Sequence, residues 1–433
     1  MQVQKPRRFQ PHQHRLFRPL VKVHLRSVTH CGTTTARLSE RMRHHIYLIP
    51  GFFGFSNFGD LKYFAHVTEV LEGALRTRGV EVAVHYVRTL PTASVRRRSQ
   101  RLLEVMHETA HGEGPIHLIG HSSGGLDARL VAATGASLTD TWSASDLVAR
   151  VRSVVTVVTP HRGTPLAPLF DTILGARLLQ ILSLATIYVL RYGKLPLSAL
   201  VSLGGVLVRL DNSGGQDALD QVYDQLLADF SDERQRAIRQ FFREMGQDTS
   251  LIRELLPSRI EVFNATTRDA PDVRYGCVIA RGKGPGITST LSAGLSAYAQ
   301  ASHAFYAGLY TLASRTRPDR VVMPDWPQSQ VIKAAWQELP DVRANDGIVP
   351  TLSQVWGEVI CAVNADHHDV IGHFDDPNYV PPHYDWLTSG SGFKRRDFEL
   401  LWASVADWLA QGIALQQTPS HTENPDENLR GTG

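Results

Sequence analysis

The chain has 433 residues, 42% hydrophobic and 20% charged, with 34 Gly, 23 Pro and three cysteines: Cys31, Cys277 and Cys361. That apolar share supports a large buried core and excludes wholesale disorder, and three cysteines exclude a disulfide scaffold, since at most one bridge can form. No charge-free apolar run reaches the roughly 18 residues of a spanning helix, so the reading is not of an integral membrane protein.

The formal charge of +3 conceals an asymmetry. Residues 1–44 hold ten Lys/Arg against Glu40 alone, a net +9, and the remainder holds 35 against 41, a net −6. Arg18, Lys22 and Arg26 interrupt Leu16–Leu25, so the arm lacks the apolar stretch of a secretory signal; a cytoplasmic or peripheral-membrane location is then the default. Its charge alone would suit a tether to phosphates. Charge runs are usually solvated, however. Residues 1–44 therefore read as a disordered basic extension, with Met42 just before the first apolar run and no nucleic-acid partner expected.

In chain order, Ile46–Ile49 reads as a strand and Val80–Tyr86 as another. Ala93–Ala110 is an amphipathic helix closed by Gly112. Strand Ile116–Ile119, a helix from Ser123 and strand Val151–Val158 follow. Pro165–Leu210 is the most apolar part of the chain, and 211–256 is polar and helical. Strands are expected at Arg259–Asn264, Val273–Ala280 and Val359–Val363, with a helix at Gln330–Glu338. Phe398–Ile413 has helical spacing, and 414–433 reads as a disordered tail. This alternation predicts an α/β fold with a mostly parallel central sheet and helices on both faces. The expected core is 45–164 and 257–413, interrupted by a helical insertion at 165–256, with chemistry at the carboxyl ends of the strands.

Gly120-His121-Ser122-Ser123-Gly124 fits G-x-S-x-G between a strand and a helix, the context that makes the pattern specific. The sharp turn needs small neighbours, which Gly120 and Gly124 supply, and it lifts the Ser122 hydroxyl over a helix N-terminus. A serine nucleophile needs a histidine to take its proton and an acid to orient that histidine. Asp346 lies in the turn Ala344–Pro350, although Asp-Gly is also an ordinary turn former. Asp366-His367-His368-Asp369 follows the last strand. Oxyanion donors are expected from the amide of Ser123 and from an early glycine-rich loop, where Phe52 follows Pro50-Gly51. His107-Glu108-Thr109-Ala110-His111 also spells H-E-x-x-H, a zinc-protease pattern. Gly112 ends that helix at once, and no further ligand follows at a convincing spacing.

Taken together, 45–67, the elbow 117–133, VTVVTPHRGTPLA (155–167), 260–280, RANDGIVP (343–350) and DHHDVIGHF (366–374) resemble the bacterial true lipases and related esterases of the α/β-hydrolase superfamily. The pieces fall in the family's order over most of 45–374. The resemblance implies an α/β-hydrolase fold with an inserted lid. It makes Ser122 the nucleophile, Asp346 the acid, and Phe52 with Ser123 the oxyanion donors. His367 is the base in the family's His-x-Asp frame, whereas ungapped counting from Asp346 gives His368. The chain departs from the family in Pro50-Gly51, where His-Gly is usual, and in Thr351-Leu352-Ser353, where many members carry a cysteine. Members often hold a structural Ca²⁺ through the aspartate two after the histidine; Asp369 matches, and Asp325 is a spacing-based partner. The site residues themselves include no metal ligand, and the chemistry needs no cofactor.

The expected activity is carboxylic-ester hydrolysis through an acyl-enzyme on an acyl-ester or lipid substrate. The apolar insertion then reads as a lid that touches lipid interfaces, or else as a buried cap or dimer interface. A non-catalytic α/β-hydrolase-fold binding module and an acyltransferase using the same acyl-enzyme are the alternatives.

Overall fold

The structure, a computed structural model, describes residues 43–52, 63–139, 144–208, 215–385 and 387–417. The readings placed on 1–42, on 53–62 and on the tail beyond 417 lie outside the described residues.

The first strand shows why the chain folds as it does. In β1 (His44–Ile49) every residue is buried, with Ile46 and Leu48 in one apolar cluster and Tyr47 and Ile49 in another. Successive side chains point to opposite faces, so a continuous apolar run marks a strand covered on both sides. Helix α1 (Val67–Thr77), β2 (Val82–Tyr86), α2 (Val95–Thr109), β3 (Ile116–His121), α3 (Gly124–Ala132), the short α4 (Ser145–Val148) and β4 (Val151–Val157) follow. Next come α5 (Ala167–Phe170), α6 (Ile173–Tyr192), α7 (Leu197–Val208), α8 (Gly215–Ala228), α9 (Asp232–Gln247), α10 (Ser250–Glu254) and α11 (Pro257–Thr266). The chain then returns through β5 (Arg274–Arg281), α12 (Ile287–Ala293), α13 (Ala297–Ala313), α14 (Trp326–Trp336), β6 (Glu358–Asn364) and α15 (Arg395–Gln417).

The six strands form one parallel sheet in the order β2-β1-β3-β4-β5-β6. Helices α2 and α3 cover one face, burying Leu102, Leu103, Ala128 and Val131 against Tyr47, Leu118 and Val154. Helices α1 and α15 cover the other, with Leu71, Leu75, Trp402 and Val405 in the larger cluster. Each fully buried aliphatic side chain contributes roughly 1.5–3 kcal/mol. Order reverses at β1–β3, which opens the crevice at the carboxyl ends of these strands.

One expected element is overturned. Arg259–Asn264 belongs to helix α11, not to a strand. Ile260 and Val262 imitate a strand's alternation, but Val262 is 59% exposed, while Ile260 and Phe263 line one helical face against the core. Pro257 opens the helix, where its missing N–H costs nothing. The helical insertion thus runs on to Thr266.

Helix α6 is capped by the Thr172 side chain, which accepts from Gly175 N–H at 3.0 Å, and it ends at Gly193 with φ 83°. Among the described residues it is the helix long and apolar enough to cross a membrane, a property the charge-free criterion misses because Arg177 and Arg191 interrupt it. Leu178, Leu179 and Ile181 through Val189 nevertheless lie buried within the protein, leaving Ile173 exposed near one end.

Candidate active site

The site begins where β3 meets α3. The turn between them leaves only Ser122 and Ser123, and it drives Ser122 to φ 55°. A left-handed conformation at a non-glycine residue costs roughly 1–2 kcal/mol, so the surroundings must hold it. Ser122 N–H donates to Val157 O at 2.9 Å, and Ser122 O accepts from Gly125 N–H at 3.1 Å. A Cβ on Gly120 would stand 2.3 Å from Gly124 O, so the turn can close this tightly only with glycine there. Ser123 directly precedes α3, and its amide belongs to that helix's positive end.

Strands β1 and β3 pair in parallel with Ile49 opposite Gly120, so the loop leaving β1 must run beside the elbow. A Cβ on Gly51 would come within 2.5 Å of Ser122 Cβ. Phe52, next in the chain, is buried and shares a cavity wall with Ser122. Arg98 fixes this loop from below. Its guanidinium donates to Pro50 O at 2.7 Å and pairs with Asp127 of α3 at 2.6 Å, both side chains being fully buried. Burial still raises Asp127 to about 6, because desolvation outweighs the attraction of Arg98.

Asp346 and His367 meet as a buried pair. Asp346 Oδ1 accepts from the N–H groups of Ile348 (2.9 Å) and Val349 (2.7 Å), and Oδ2 accepts from Gln354 Nε2 (3.1 Å). His367 Nδ1 donates to the same Oδ2 at 2.7 Å, with both side chains fully buried. The backbones are tied as well, His367 N–H donating to Asp346 O at 3.0 Å. His367 Nε2 is buried without a hydrogen-bond partner. His368 N–H bonds Asp366 instead, and burial holds its imidazole well below the usual histidine range.

A second link joins these loops. His121 Nε2 lies 2.9 Å from His367 O, and His121 Nδ1 lies 2.7 Å from the Tyr63 hydroxyl. A carbonyl only accepts, so Nε2 carries the proton and Nδ1 accepts from Tyr63. The Tyr63 oxygen in turn accepts from Gly51 N–H at 3.1 Å. Burial keeps His121 neutral, its pKa being pushed far below 6.5.

Ser122 faces an apolar cavity of about 30 Å³ walled by Phe52, Phe170, Leu179, Leu255 and Val349. That is roughly the liquid volume of one water molecule. A far larger hollow of about 960 Å³ lies around Ala133–Leu138 and the start of β4, away from these groups.

With this geometry in view, no family model and no curated protein matches the chain. Solved structures similar to it include a metagenomic carboxyl esterase, with 17% identity, 86% of this chain and 77% of that one covered and a TM-score of 0.42. EstA from Clostridium botulinum follows with 17% identity, 85% and 87% covered and 0.46. Staphylococcus hyicus lipase shows 15% identity, 87% and 97% covered and 0.48. Likeness at these levels carries no argument about activity. The parallel sheet and its strained elbow stand on their own. The chain has an α/β fold, a six-stranded parallel sheet with helices on both faces and a strained strand-to-helix turn at Ser122.

The remaining sequence candidates separate. In H-E-x-x-H, α2 ends at Thr109, so His111 lies beyond the helix that the pattern needs. Asp325 and Asp369 do not come together as ion ligands. Asp325 caps α14 through Gln328 N–H at 2.9 Å, whereas Asp369 accepts from Asp366 N–H and Ser391 Oγ. No group of three or more His, Cys, Asp or Glu able to hold a metal occurs among the described residues, so these residues do not fit the calcium ion. Cys277 and Cys361 are free thiols. Sequence reasoning missed Tyr63, Arg98, His121 and Gln354. Of these, only His121 carried a signal, as the residue just before the serine.

Proposed function

We propose that this chain is a serine carboxylic-ester hydrolase, lipase-like in its covered apolar site. The observation that carries this reading is the buried Asp346–His367 pair, whose outer ring nitrogen is unengaged, tied through His121 to the strained Ser122 turn. Ser122 Oγ attacks the ester carbonyl as His367 Nε2 takes the hydroxyl proton. The amides of Phe52 and Ser123 stabilise the oxyanion. His367 returns the proton to the departing alcohol, leaving an acyl-serine. Water, deprotonated by His367, then releases the acid. Asp346 holds the tautomer with Nδ1 protonated and stabilises the imidazolium.

Residues 165–256 act as the cap in this proposal. A cavity of about 30 Å³ does not hold an acyl chain, so Phe170 and Leu179 must move for substrate to enter. Exposed Ile173, Leu197 and Val201 are the groups that would meet a lipid interface. The test is hydrolysis of p-nitrophenyl esters of increasing chain length, with and without an emulsion, by the chain and by Ser122→Ala. Loss of at least about 10³-fold in the variant is expected, and unchanged hydrolysis would sink the reading. Strict short-chain preference without an interfacial effect would leave an esterase and remove the lipase.

A further inference from the structure

A second cavity, of about 230 Å³, lies between the segment after β4 and the turn that follows α13. Its walls are apolar, from Pro165, Pro257, Val321, Val342 and Leu352, yet Arg162, Arg315, Arg317 and Arg320 also line it. Two of these cations are committed. Arg317 pairs with Asp319 at 3.1 Å and Arg320 with Glu261 at 3.7 Å. Neither Arg162 nor Arg315 has a carboxylate at ion-pair distance among the described residues; Arg162 is half-buried, feels Glu261 at longer range and stands 5.6 Å from the Trp356 ring centre, whereas Arg315 is exposed. Four guanidinium groups therefore meet two carboxylates around an apolar hollow. Arg162, half-buried and sharing Glu261 with Arg320, is under-compensated, and guanidinium is the side chain best matched to a planar anionic head.

We infer that this cavity binds a small amphiphilic carboxylate, its head between Arg162 and Arg315 and its chain on the prolines, Val321, Val342 and Leu352. The volume lies below the roughly 300–1,000 Å³ of drug-sized pockets, so the ligand is short. The site is separate from the Ser122 cavity, since no residue lines both. It needs no acyl-enzyme chemistry, so it stands or falls apart from the hydrolase proposal.

The experiment is calorimetric titration of octanoate, octanol, octyl phosphate and inorganic phosphate into full-length Ser122→Ala, alone and combined with Arg315→Gln, Arg162→Gln or Leu179→Trp. Octanoate is expected to saturate below about 10 mM and to weaken about tenfold in each arginine variant, the change that losing one charge-assisted contact gives. Leu179→Trp, which fills the Ser122 cavity, is expected to leave octanoate binding intact. Arg315 is exposed, so its variant reports even if Arg162→Gln fails to fold. Octanoate binding lost with Leu179→Trp but kept with Arg315→Gln would overturn the inference. So would octanol or inorganic phosphate binding as tightly as octanoate, tighter binding of octyl phosphate, or no saturation by octanoate.

Discussion

His121 Nε2 donates to the carbonyl of His367 at 2.9 Å, so the residue just before the elbow serine holds the backbone of the residue that bonds Asp346. Tyr63 sets this contact by donating to His121 Nδ1. Tyr63→Phe removes that proton and leaves a buried ring nitrogen unsatisfied, at about 1–3 kcal/mol. The expected result is a fall in kcat of about tenfold or more with KM changed little, because a misplaced base acts on the transition state. Steady-state kinetics on a soluble ester check this. A KM increase at constant kcat would place Tyr63 in substrate binding instead.

The two adjacent histidines make a sharp comparison. His367 bonds Asp346 and His368 does not. His367→Ala and Asp346→Asn are expected to lower kcat/KM by about 10³–10⁴-fold. His368→Asn, measured in the same assay, should retain activity to within about tenfold. The reverse order would move the base to His368.

Stability should respond to pH through two opposed sets of buried groups. His45 of β1 meets His85 of β2, and His44 of β1 meets His117 of β3, each pair at 3.0 Å; burial lowers His85 to about 4 and His117 to about 3. Their stabilising contribution is complete above pH 6.5 and is lost as pH falls toward those values. Asp366 runs the other way. Burial raises it to about 6 despite N–H donors from His368 and Asp369, so its contribution is present below about pH 4 and is lost as pH rises through 6. Thermal melts from pH 4 to 8 should show Asp366→Asn gaining on the parent as pH rises, by about 2 kcal/mol. His117→Gln should gain on it as pH falls. A difference independent of pH in either case would refute the corresponding assignment.

The Ser122 cavity is closed chiefly by Phe170 and Leu179 from the insertion. Leu179→Ala enlarges it at a cost of about 2–5 kcal/mol in stability. The acyl-chain preference is expected to shift toward longer esters, read as a rise in the C8-to-C4 ratio of kcat/KM. An unchanged ratio would mean that acyl chains lie elsewhere.

What the sequence made legible was local. Gly120, Ser122 and Gly124 sit within five residues, and their spacing alone demands the strained turn. The parallel sheet was readable because strands such as β1 carry a continuous run of buried residues, Ile46 to Ile49, in place of an alternation. Asp346 and His367 were candidates by loop position, but only tertiary contact distinguished His367 from its neighbour. Tyr63 was unreadable because its partner lies 58 residues away. Gln354 was hidden for a related reason: its amide joins Ala280 N–H, 74 residues distant, to Asp346. At 259–264, β-branched residues suggested a strand, and packing against the core overruled that local preference.

The chain between Thr164 and Leu255 leaves and rejoins the sheet-bearing part at a single point. Thr164 N–H donates to Leu255 O at 3.3 Å, and Gly163, at φ 78°, packs so close that a Cβ there would lie 2.5 Å from the same oxygen. The segment therefore has one covalent doorway, but it is fastened again beside α2, where Leu251 N–H donates to Thr92 O at 3.0 Å and Val95 N–H to Glu254 Oε2 at 2.7 Å. A replacement segment spliced just inside Thr164 and Leu255 would have to restore those ties to α2 and the wall that Phe170 and Leu179 give the Ser122 cavity.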